Sequence, residues 1–409
     1  MDAEPVSPQV PGDPHRIDLY HTLGGMDTCQ ALAVAFYAHV EHDPVLRPLY
    51  PPTLKGCPIN ALAAFFTQFF GGPCEYTSRR WHLSLREFHL RFAIGPKERE
   101  AWLTNMFLAL DDVKIQEPAR SALRWFFVQS SAYFMNQHSG ATDDSLSLQE
   151  HLQRDQVEQE ASHLHQEIQE RWQAQQMLEE MVAAVHQGNA EVALAVIEAP
   201  MMQAFFLRDQ GAFLSLLVIL SCSGHPASVD HARQKLIATP GLVHERYTYD
   251  LTLLHELAGQ GNLAMVELLL QLGADPNAQN HQGQTPLYWV SNGSPGAYGA
   301  EVVHLLVRHG ANVNAREKLK QCTSLHMAAR RGNIPVAGAL LDCGAEREAL
   351  DKLGETPLHR AVRCGKTEMV AFLLARGADV HMQGKRGLAA WQVARGPAMK
   401  RLLQPSLEK

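Results

Sequence analysis

The residue of this chain with the clearest chemical potential is His89, which lies between Phe88 and Leu90. Phe92 and Ile94 follow it, so the imidazole stands in strongly apolar company. A neutral imidazole can bind a metal through one ring nitrogen while the other nitrogen makes a hydrogen bond. The same surroundings also suit a hydrogen-bonded core histidine, and this short stretch alone leaves both interpretations open.

Helical segments surround His89 and must position it. Gly71-Gly72-Pro73 ends an apolar helix predicted over residues 62–70, and Gly95-Pro96 begins another helix with Pro at its first position. Trp102 lies on the apolar face of that second helix. Apolar residues recur at helical spacing on both sides. The sequence therefore predicts an all-α unit with one irregular loop, at residues 77–86.

Six short motifs follow one another in a fixed order between residues 17 and 140. They are Gly24-Gly25, Phe36-Tyr37, Leu49-Tyr50-Pro51, Gly71-Gly72-Pro73, Leu85-Arg86 shortly before His89, and Glu98-Arg99-Glu100-Ala101-Trp102. Their joint order and spacing resemble the truncated (2/2) globins, in particular the distal-Trp group known as group II. The resemblance implies a helical fold that binds haem b.

The same resemblance assigns roles to individual residues. His89 is the proximal ligand of the haem iron, and Tyr37 and Trp102 donate hydrogen bonds to a bound gas molecule. Tyr50 is the corner residue beside the porphyrin. The second axial position of the iron stays open for O2, NO or CO. Three residues are expected to form apolar walls: Leu62, Phe65 and Phe66.

The chain departs from the family pattern at two places. Pro58 and Leu62 fall at the positions that face the ligand, without a distal histidine, which is compatible with this group. Phe88 stands where the group usually has an arginine that pairs with a haem propionate. Arg86 is a candidate to replace it, and the alternatives that stay open are Arg79, Arg80 and Arg91. His82 is either a surface residue or a second ligand.

Residues 141–185 are rich in Gln and Glu and are predicted to form a connecting helix. An apolar seam is interrupted by two polar positions, Arg171 and Gln175. The seam residues are Val157, Ala161, Leu164, Ile168, Leu178, Val182 and Val185. Two interpretations stay open: a solvated connecting helix, or a short coiled coil that forms a dimer through residues 147–185.

After residue 186 the chain repeats one phrase, with two intervals of 33 residues and one of 38 between the first four copies. The copies are Thr252-Leu-Leu-His255, Thr285-Pro-Leu-Tyr288, Thr323-Ser-Leu-His326, Thr356-Pro-Leu-His359 and a fifth, Ala389-Ala-Trp-Gln392. The longer interval places an insertion at residues 293–298. An apolar helix and a Gly turn follow the first four copies, as in ankyrin repeats, which the segment resembles. That resemblance implies an α-solenoid that docks a protein partner.

The repeat frame assigns Arg330, Arg331 and Arg363 to the concave groove, with Tyr288 and Trp289 beside the insertion. Further basic residues fall on the neighbouring loops: Arg316, Lys318, Lys320, Lys352, Lys385 and Arg386. Because the whole chain has a net charge of −7, this cluster is a local reversal of sign. We predict an acidic protein segment in the groove, anchored by the two aromatic residues. The alternative is that these side chains are simply solvated.

The overall composition indicates the class of protein, its partners and its compartment. With 46% hydrophobic and 19% charged residues the chain is typical of soluble globular proteins, and its negative charge argues against nucleic acid as the main partner. The seven Cys contain no CxxC pair, which fits a reducing, cytoplasmic compartment. The longest apolar run, residues 212–222, is too short to span a bilayer.

The 409 residues are therefore divided into four predicted segments. These are a disordered tail at 1–16, a truncated globin at 17–140, a helical linker at 141–185 and an ankyrin α-solenoid at 186–409. The predicted function is reversible binding of O2, NO or CO at haem, coupled to docking of a partner, as in a gas sensor or a localised gas-handling protein. Two alternatives stay open: a haem enzyme (an NO dioxygenase or peroxidase, which needs an electron donor) and a haem-free ankyrin scaffold.

Overall fold

A computed structural model of the protein describes residues 19–50, 57–74, 76, 84–137, 159–293 and 296–403. Within these ranges the chain is helical and has no β-strand, apart from two isolated bridges. The predicted all-α class is confirmed. The chain divides into two compact units: the first has residues up to 182 and 198–205, and the second has 183–197 and residues from 206 onward.

The first unit is built from short amphipathic helices around an aromatic core. In chain order they are α1 (Leu19–Thr22), α2 (Gly25–Val40), α3 (Cys57–Phe69), α4 (Leu85–His89), α5 (Pro96–Val113), α6 (Ala119–Tyr133) and most of α7 (Gln159–His186). Helix α2 packs on α3 and α5, and α5 packs on α6. Phe36, Phe66, Phe70, Phe126 and Phe127 are almost completely buried where these helices meet.

Helix α7 changes the interpretation of the predicted linker. Leu164, Ile168 and Trp172 lie in the core of the first unit and are at most 5% exposed. The expectation of a solvated connecting helix is corrected, because this stripe packs on the globin-like helices rather than facing water. Dimerisation stays a prediction, but in this arrangement Leu164 and Ile168 are already used within the chain. Residues 1–16 and 141–158 lie outside the described residues.

The second unit is a stack of helix pairs. Four pairs carry the repeated phrase: α12 (Leu253–Gly259) with α13 (Leu263–Gln271), α14 (Pro286–Asn292) with α15 (Gly299–Arg308), α16 (Ser324–Arg331) with α17 (Ile334–Asp342), and α18 (Pro357–Arg363) with α19 (Thr367–Ala375). Before them in the chain come α8 (Ala190–Ile197), α9 (Pro200–Arg208), whose residues up to 205 belong to the first unit, α10 (Gln210–Cys222) and α11 (Pro226–Ala238). The last helix is α20 (Pro397–Leu403).

Local chemistry explains both the regularity of the stack and its end. The predicted Gly turns have φ values between 82° and 94°, a region that favours glycine, at Gly273, Gly310, Gly344 and Gly377. The fifth phrase, residues 389–392, forms turns instead of a helix. It has Ala389 where the other copies have a capping Thr, so the first helix of a pair is not initiated there.

Among the described residues, no single helix combines the length and the apolar composition of a membrane span. Helices α8 and α9 meet the length and composition criteria only when they are taken together.

Candidate functional site

The first unit contains a cavity of about 530 Å³ that is lined mainly by aromatic and aliphatic side chains. Volumes of this order are typical of sites for small molecules and cofactors. Helices α2 to α7 all contribute to its lining. Every site residue predicted in this unit except Arg86 lines the cavity: Tyr37, Tyr50, Leu62, Phe65, Phe66, His89 and Trp102.

His89 ends the short helix α4, and its imidazole has a defined hydrogen bond. Its Nδ1 lies 2.7 Å from the carbonyl oxygen of Leu85, one helical turn earlier. A carbonyl only accepts, so Nδ1 carries the proton and Nε2 carries the lone pair of the neutral ring. Burial lowers the pKa of His89, which favours this neutral form. The arrangement is the one that a metal-binding histidine needs.

Phe134 and Asn136, which follow helix α6, contact the segment around His89. The ring of Phe134 lies 4.6 Å from the imidazole centroid, at an interplanar angle of 30°. The side-chain amide of Asn136 donates to the carbonyls of His89, at 3.3 Å, and Phe92, at 2.7 Å. Asn136 thereby fixes the backbone that leaves α4. No sequence motif pointed to either residue, because their contacts join segments more than 40 residues apart.

The predicted hydrogen-bond donors form an aromatic group with Phe36 and Phe127. Tyr37 and Tyr50 meet edge to face, with ring centroids 5.6 Å apart. The indole of Trp102 lies 5.6 Å from Phe36 and 5.7 Å from Phe127. Burial, and secondarily the neighbouring Tyr37, raises the pKa of Tyr50, so this phenol stays protonated and able to donate. The arrangement places two phenols and an indole in the wall of a mainly apolar cavity.

One predicted site residue, Arg86, lies outside the wall of the cavity. The Arg86 side chain is exposed, and its guanidinium lies over the ring of Tyr133, 5.0 Å from the centroid. Arg86 is therefore not part of the cavity wall, and its role in binding the cofactor stays a prediction. Arg91, one of the alternatives, does line the cavity. Arg79, Arg80, His82 and the side chain of Phe88 lie outside the described residues.

A helix beyond the predicted globin segment also lines the cavity. Trp172 of α7 is 5% exposed and contributes its indole to the wall. Its stripe, formed with Leu164 and Ile168, has a spacing of four residues. The seam predicted from the sequence passes instead through Arg171, one position earlier. The spacing of four from Ile168 was the signal that identifies Trp172.

Residues 18–133 match the model of the bacterial-like globin family. The chain is 32% identical over 113 residues to the group 2 truncated hemoglobin YjbI of Bacillus subtilis (strain 168), covering 28% of this chain and 85% of that protein. The chain belongs to the truncated globins. The predicted resemblance to group II is thus confirmed, and the truncated globin carries a further domain, since residues 217–317 and 296–383 match ankyrin repeats.

The chain is also similar to proteins with other names. It is 33% identical over 122 residues to the cyclin-dependent kinase 4 inhibitor B of Rattus norvegicus, which is 30% of this chain and 90% of that protein. It is 33% identical over 145 residues to the nuclear factor NF-kappa-B p105 subunit of Gallus gallus. That alignment covers 32% of this chain and 13% of the relative, so the chain spans a small part of its length.

The predicted groove residues of the ankyrin unit lie in different environments. Tyr288 is 8% exposed and packs with Cys322 and Met327, which argues against its role as an accessible anchor. Trp289 is half-buried, and its indole N–H donates to the side chain of Gln284 at 3.1 Å.

Of the three groove arginines, Arg363 forms an ion pair of 2.6 Å with the buried carboxylate of Glu355. Arg331 donates to the side chain of Asn292, at 2.9 and 3.1 Å. Arg330 is exposed. The positive groove is therefore partly neutralised from within the chain, which the sequence pattern did not indicate.

The truncated-globin cavity fits a haem group on the chemistry of its walls. It offers a neutral imidazole with a fixed Nδ1 partner, a large apolar surface and an arginine, Arg91, that can meet a carboxylate. Haem presents the matching features: an iron that takes an imidazole ligand, an apolar macrocycle and two propionates.

Proposed function

We propose that the globin unit binds haem b through His89 and, at the haem, reversibly binds a diatomic gas (O2, NO or CO). The observation that carries this proposal is the neutral imidazole of His89, held by the Leu85 carbonyl in the wall of an apolar cavity of about 530 Å³. The membership of the truncated globins supports it as well.

Haem, when bound, would supply an iron that can bind a diatomic gas. The chain contributes the rest. His89 provides Nε2, and the hydrogen bond at Nδ1 fixes the tautomer and the ring orientation. The aromatic walls exclude water. We assign Tyr37 and Trp102 as donors to the bound gas, and Tyr50 as their protonated neighbour. Arg91 is the proposed partner of a propionate.

The test of this proposal is the stoichiometry and spectrum of the full-length protein after titration with haemin. We expect one haem per chain, a ferrous spectrum that changes on addition of CO, and loss of stoichiometric binding in His89→Ala. The matched control is His304→Ala, which changes an exposed histidine of α15 in the ankyrin unit. Absence of haem uptake by the wild-type protein would favour the scaffold alternative.

For the ankyrin unit we propose that the loop tips between repeats dock an acidic, partly apolar segment of another protein. Three basic residues lie on successive loops, and backbone hydrogen bonds join each loop to the preceding one. The bonds run from Lys318 N to the Gln282 carbonyl (2.8 Å), from Lys352 N to the Lys320 carbonyl (2.8 Å) and from Lys385 N to the Leu353 carbonyl (2.9 Å). These bonds make the tips one ordered surface.

The composition of the tips supports this choice of partner. Leu319 is 59% exposed and Leu353 is 44% exposed, and each has lysines beside it. Lys318, Lys320 and Lys352 form no ion pair within residues 159–293 and 296–403, in contrast to Arg363. Exposed leucines flanked by unpaired cations match a segment that alternates apolar and acidic residues.

A synthetic peptide of alternating Glu and Leu is a suitable probe, since the natural partner is unidentified. Lys320→Glu with Lys352→Glu is expected to weaken its binding by roughly tenfold or more, and added salt should weaken binding to the wild type. The control is Lys400→Glu with Arg401→Glu, which reverses the same number of charges on α20. Equal loss in both double variants would indicate a nonspecific charge effect and contradict the assignment.

A further inference from the structure

Helix α7 lies outside the segment that matches the globin family, which ends at residue 133. Its side chains nevertheless reach the helix that carries His89 by two routes. The first route is aromatic: the ring of Trp172 lies 6.2 Å from Phe134, edge to face, and Phe134 stacks on the imidazole of His89 at 4.6 Å. Both separations are typical of interacting aromatic rings.

The second route is the buried carboxylate of Glu179, which is 3% exposed. It accepts hydrogen bonds from the backbone N–H groups of Leu85, at 2.6 Å, and Arg86, at 3.2 Å. The hydroxyl of Ser84 and the side-chain amide of Gln175 also donate to it. All four partners are donors, and an ionised carboxylate is the acceptor that satisfies them together.

These contacts occur at the start of a very short helix. Helix α4 has five residues and begins one turn before His89. The first N–H groups of any helix lack partners within the helix, and a helix this short has little stability of its own. The Ser84 hydroxyl accepts from the N–H of Glu87 at 3.1 Å. The Glu179 carboxylate accepts from the N–H groups of Leu85 and Arg86. The first turn of α4 is thus held mainly from outside.

We propose that Glu179 is a positioning residue for His89, and that α7 is a working part of the haem site rather than a linker. The carboxylate holds the first turn of α4, and that turn contains the Leu85 carbonyl to which His89 Nδ1 donates. A displacement of Leu85 therefore changes the direction of the imidazole. The inference rests on the proposed binding of haem by His89, but the hold on α4 exists without haem.

Two other contacts fix α7 in place for this role. The carboxylate of Glu167, itself buried, accepts from the backbone N–H of Leu19 at 3.3 Å and from Arg171 at 2.8 Å. The ring of His165 lies 5.6 Å from Trp125, edge to face. The helix is therefore held against α1 and α6 through residues that precede Glu179 in the chain. These contacts fix the position of the Glu179 carboxylate relative to α4.

The experiment uses the full-length protein with Glu179→Leu, which removes the acceptor, and Glu179→Gln, which keeps the length and one acceptor oxygen. Glu170→Gln, an exposed carboxylate on the same helix, is the matched control. Three quantities are measured: amide hydrogen exchange in residues 84–89 of the haem-free protein, the rate of haem transfer to an excess of a haem-scavenging apoprotein, and the iron–histidine stretching band of the ferrous protein.

We expect Glu179→Leu to speed both amide exchange at Leu85 and Arg86 and haem transfer by at least tenfold, and to shift the iron–histidine band. Glu179→Gln should fall between this variant and the wild type, and Glu170→Gln should equal the wild type. If Glu179→Leu fails to fold, the Gln variant carries the test, with the same order expected.

Faster exchange with an unchanged haem transfer rate and an unchanged iron–histidine band would overturn the proposal, because Glu179 would then stabilise α4 without positioning His89. Unchanged exchange would overturn it too. If the wild-type protein takes up no haem, the proposed function fails, and the exchange data on the haem-free protein still decide whether Glu179 holds α4.

Discussion

The two units use their histidines in opposite ways. In the globin unit, Nδ1 of His89 donates to a carbonyl of its own helix, and the ring lines a cavity. In the ankyrin unit, Nδ1 of His326 meets the backbone N–H and hydroxyl of Thr323, and Nε2 lies 3.0 Å from the Glu355 carbonyl in the next repeat. His255 and His359 repeat that pattern.

The difference teaches that apolar company does not decide what a histidine does. Nδ1 accepts from the N–H of Thr323, so Nε2 carries the proton and donates to the next repeat. That leaves no lone pair for a metal, and the repeat histidine is a structural tie. At His89 the tautomer is reversed, and the lone pair is on the nitrogen not used by the helix. The partner of one nitrogen decides the function of the other.

The strongest test of this comparison removes the globin histidine and measures both haem binding and the stability of the ankyrin unit. His89→Ala is expected to abolish stoichiometric haem binding and to leave urea unfolding of the ankyrin unit unchanged. The haem content is read from the Soret absorbance after gel filtration, and unfolding from hydrogen exchange of peptides within residues 253–375. Retention of one haem per chain with a wild-type spectrum would contradict the assignment of His89.

Acid should affect the ankyrin unit through its histidines. Burial lowers the pKa of both His255 and His326 to about 4 in the folded protein, from about 6.5 in an unfolded chain. The unfolded state then binds more protons between these values, so the free energy of unfolding falls as pH decreases from about 6.5 to about 4. The loss is up to about 3 kcal/mol for each histidine.

A buried carboxyl opposes this loss of stability at low pH, and replacing it should make the loss larger. Burial raises the pKa of Glu256 to about 7, and its Oε1 has no hydrogen-bond partner among the described residues. The folded state here binds the extra proton, so this group favours folding at low pH. Glu256→Gln should make the unit more stable near pH 7.5 and its loss of stability on acidification steeper. Hydrogen exchange between pH 7.5 and 4.5, corrected for the intrinsic rate, measures both.

The converse of the first test is His326→Ala. It removes the hydrogen bond to the next repeat and leaves the buried Glu355 carbonyl without this donor, so we expect a loss of about 2–4 kcal/mol in the stability of the ankyrin unit. Haem binding should be unchanged. A fall in haem content at a temperature where the ankyrin unit stays folded would show that the two classes of histidine are not independent.

The smallest expected effects concern the donors to bound gas. Trp102→Phe and Tyr37→Phe keep the aromatic packing on Phe36 and remove one donor each. Each variant should release O2 faster, by roughly tenfold for about 1.4 kcal/mol of lost hydrogen bonding. Stopped-flow displacement of O2 by CO measures the rate, with Phe65→Leu as a control for packing. Equal rates in the wild type and both variants would mean that neither residue donates.

Much of the fold was predictable because its signals are local and periodic. The ankyrin phrase recurs at intervals of 33 residues, apart from one interval of 38, since each repeat must meet the next in the same way. The order of globin motifs around His89 predicted seven residues that do line the cavity. The fifth phrase forms no helix, because one substitution, Ala389 for Thr, removes the cap that starts the helix in the other copies.

Two of the predicted site residues, Arg86 and Tyr288, have surroundings that the sequence pattern did not indicate. Arg86 and Tyr288 lie at positions where the pattern was right, but their surroundings come from distant parts of the chain. The guanidinium of Arg86 lies over Tyr133, 47 residues away in sequence, and Tyr288 is covered by Cys322 and Met327 of the next repeat. A one-dimensional pattern gives the face of a helix, but it does not give what covers that face.

The sequence by itself determined the all-α class and the two families and pointed to His89 as the candidate haem ligand, because periodicity, capping residues and motif order are properties of neighbouring residues. The tertiary structure decided the contacts of Asn136 with the His89 segment and of Glu179 with α4. The last of these joins residues 94 apart. Such contacts follow from the packing of whole helices, and no short stretch of the sequence contains both partners.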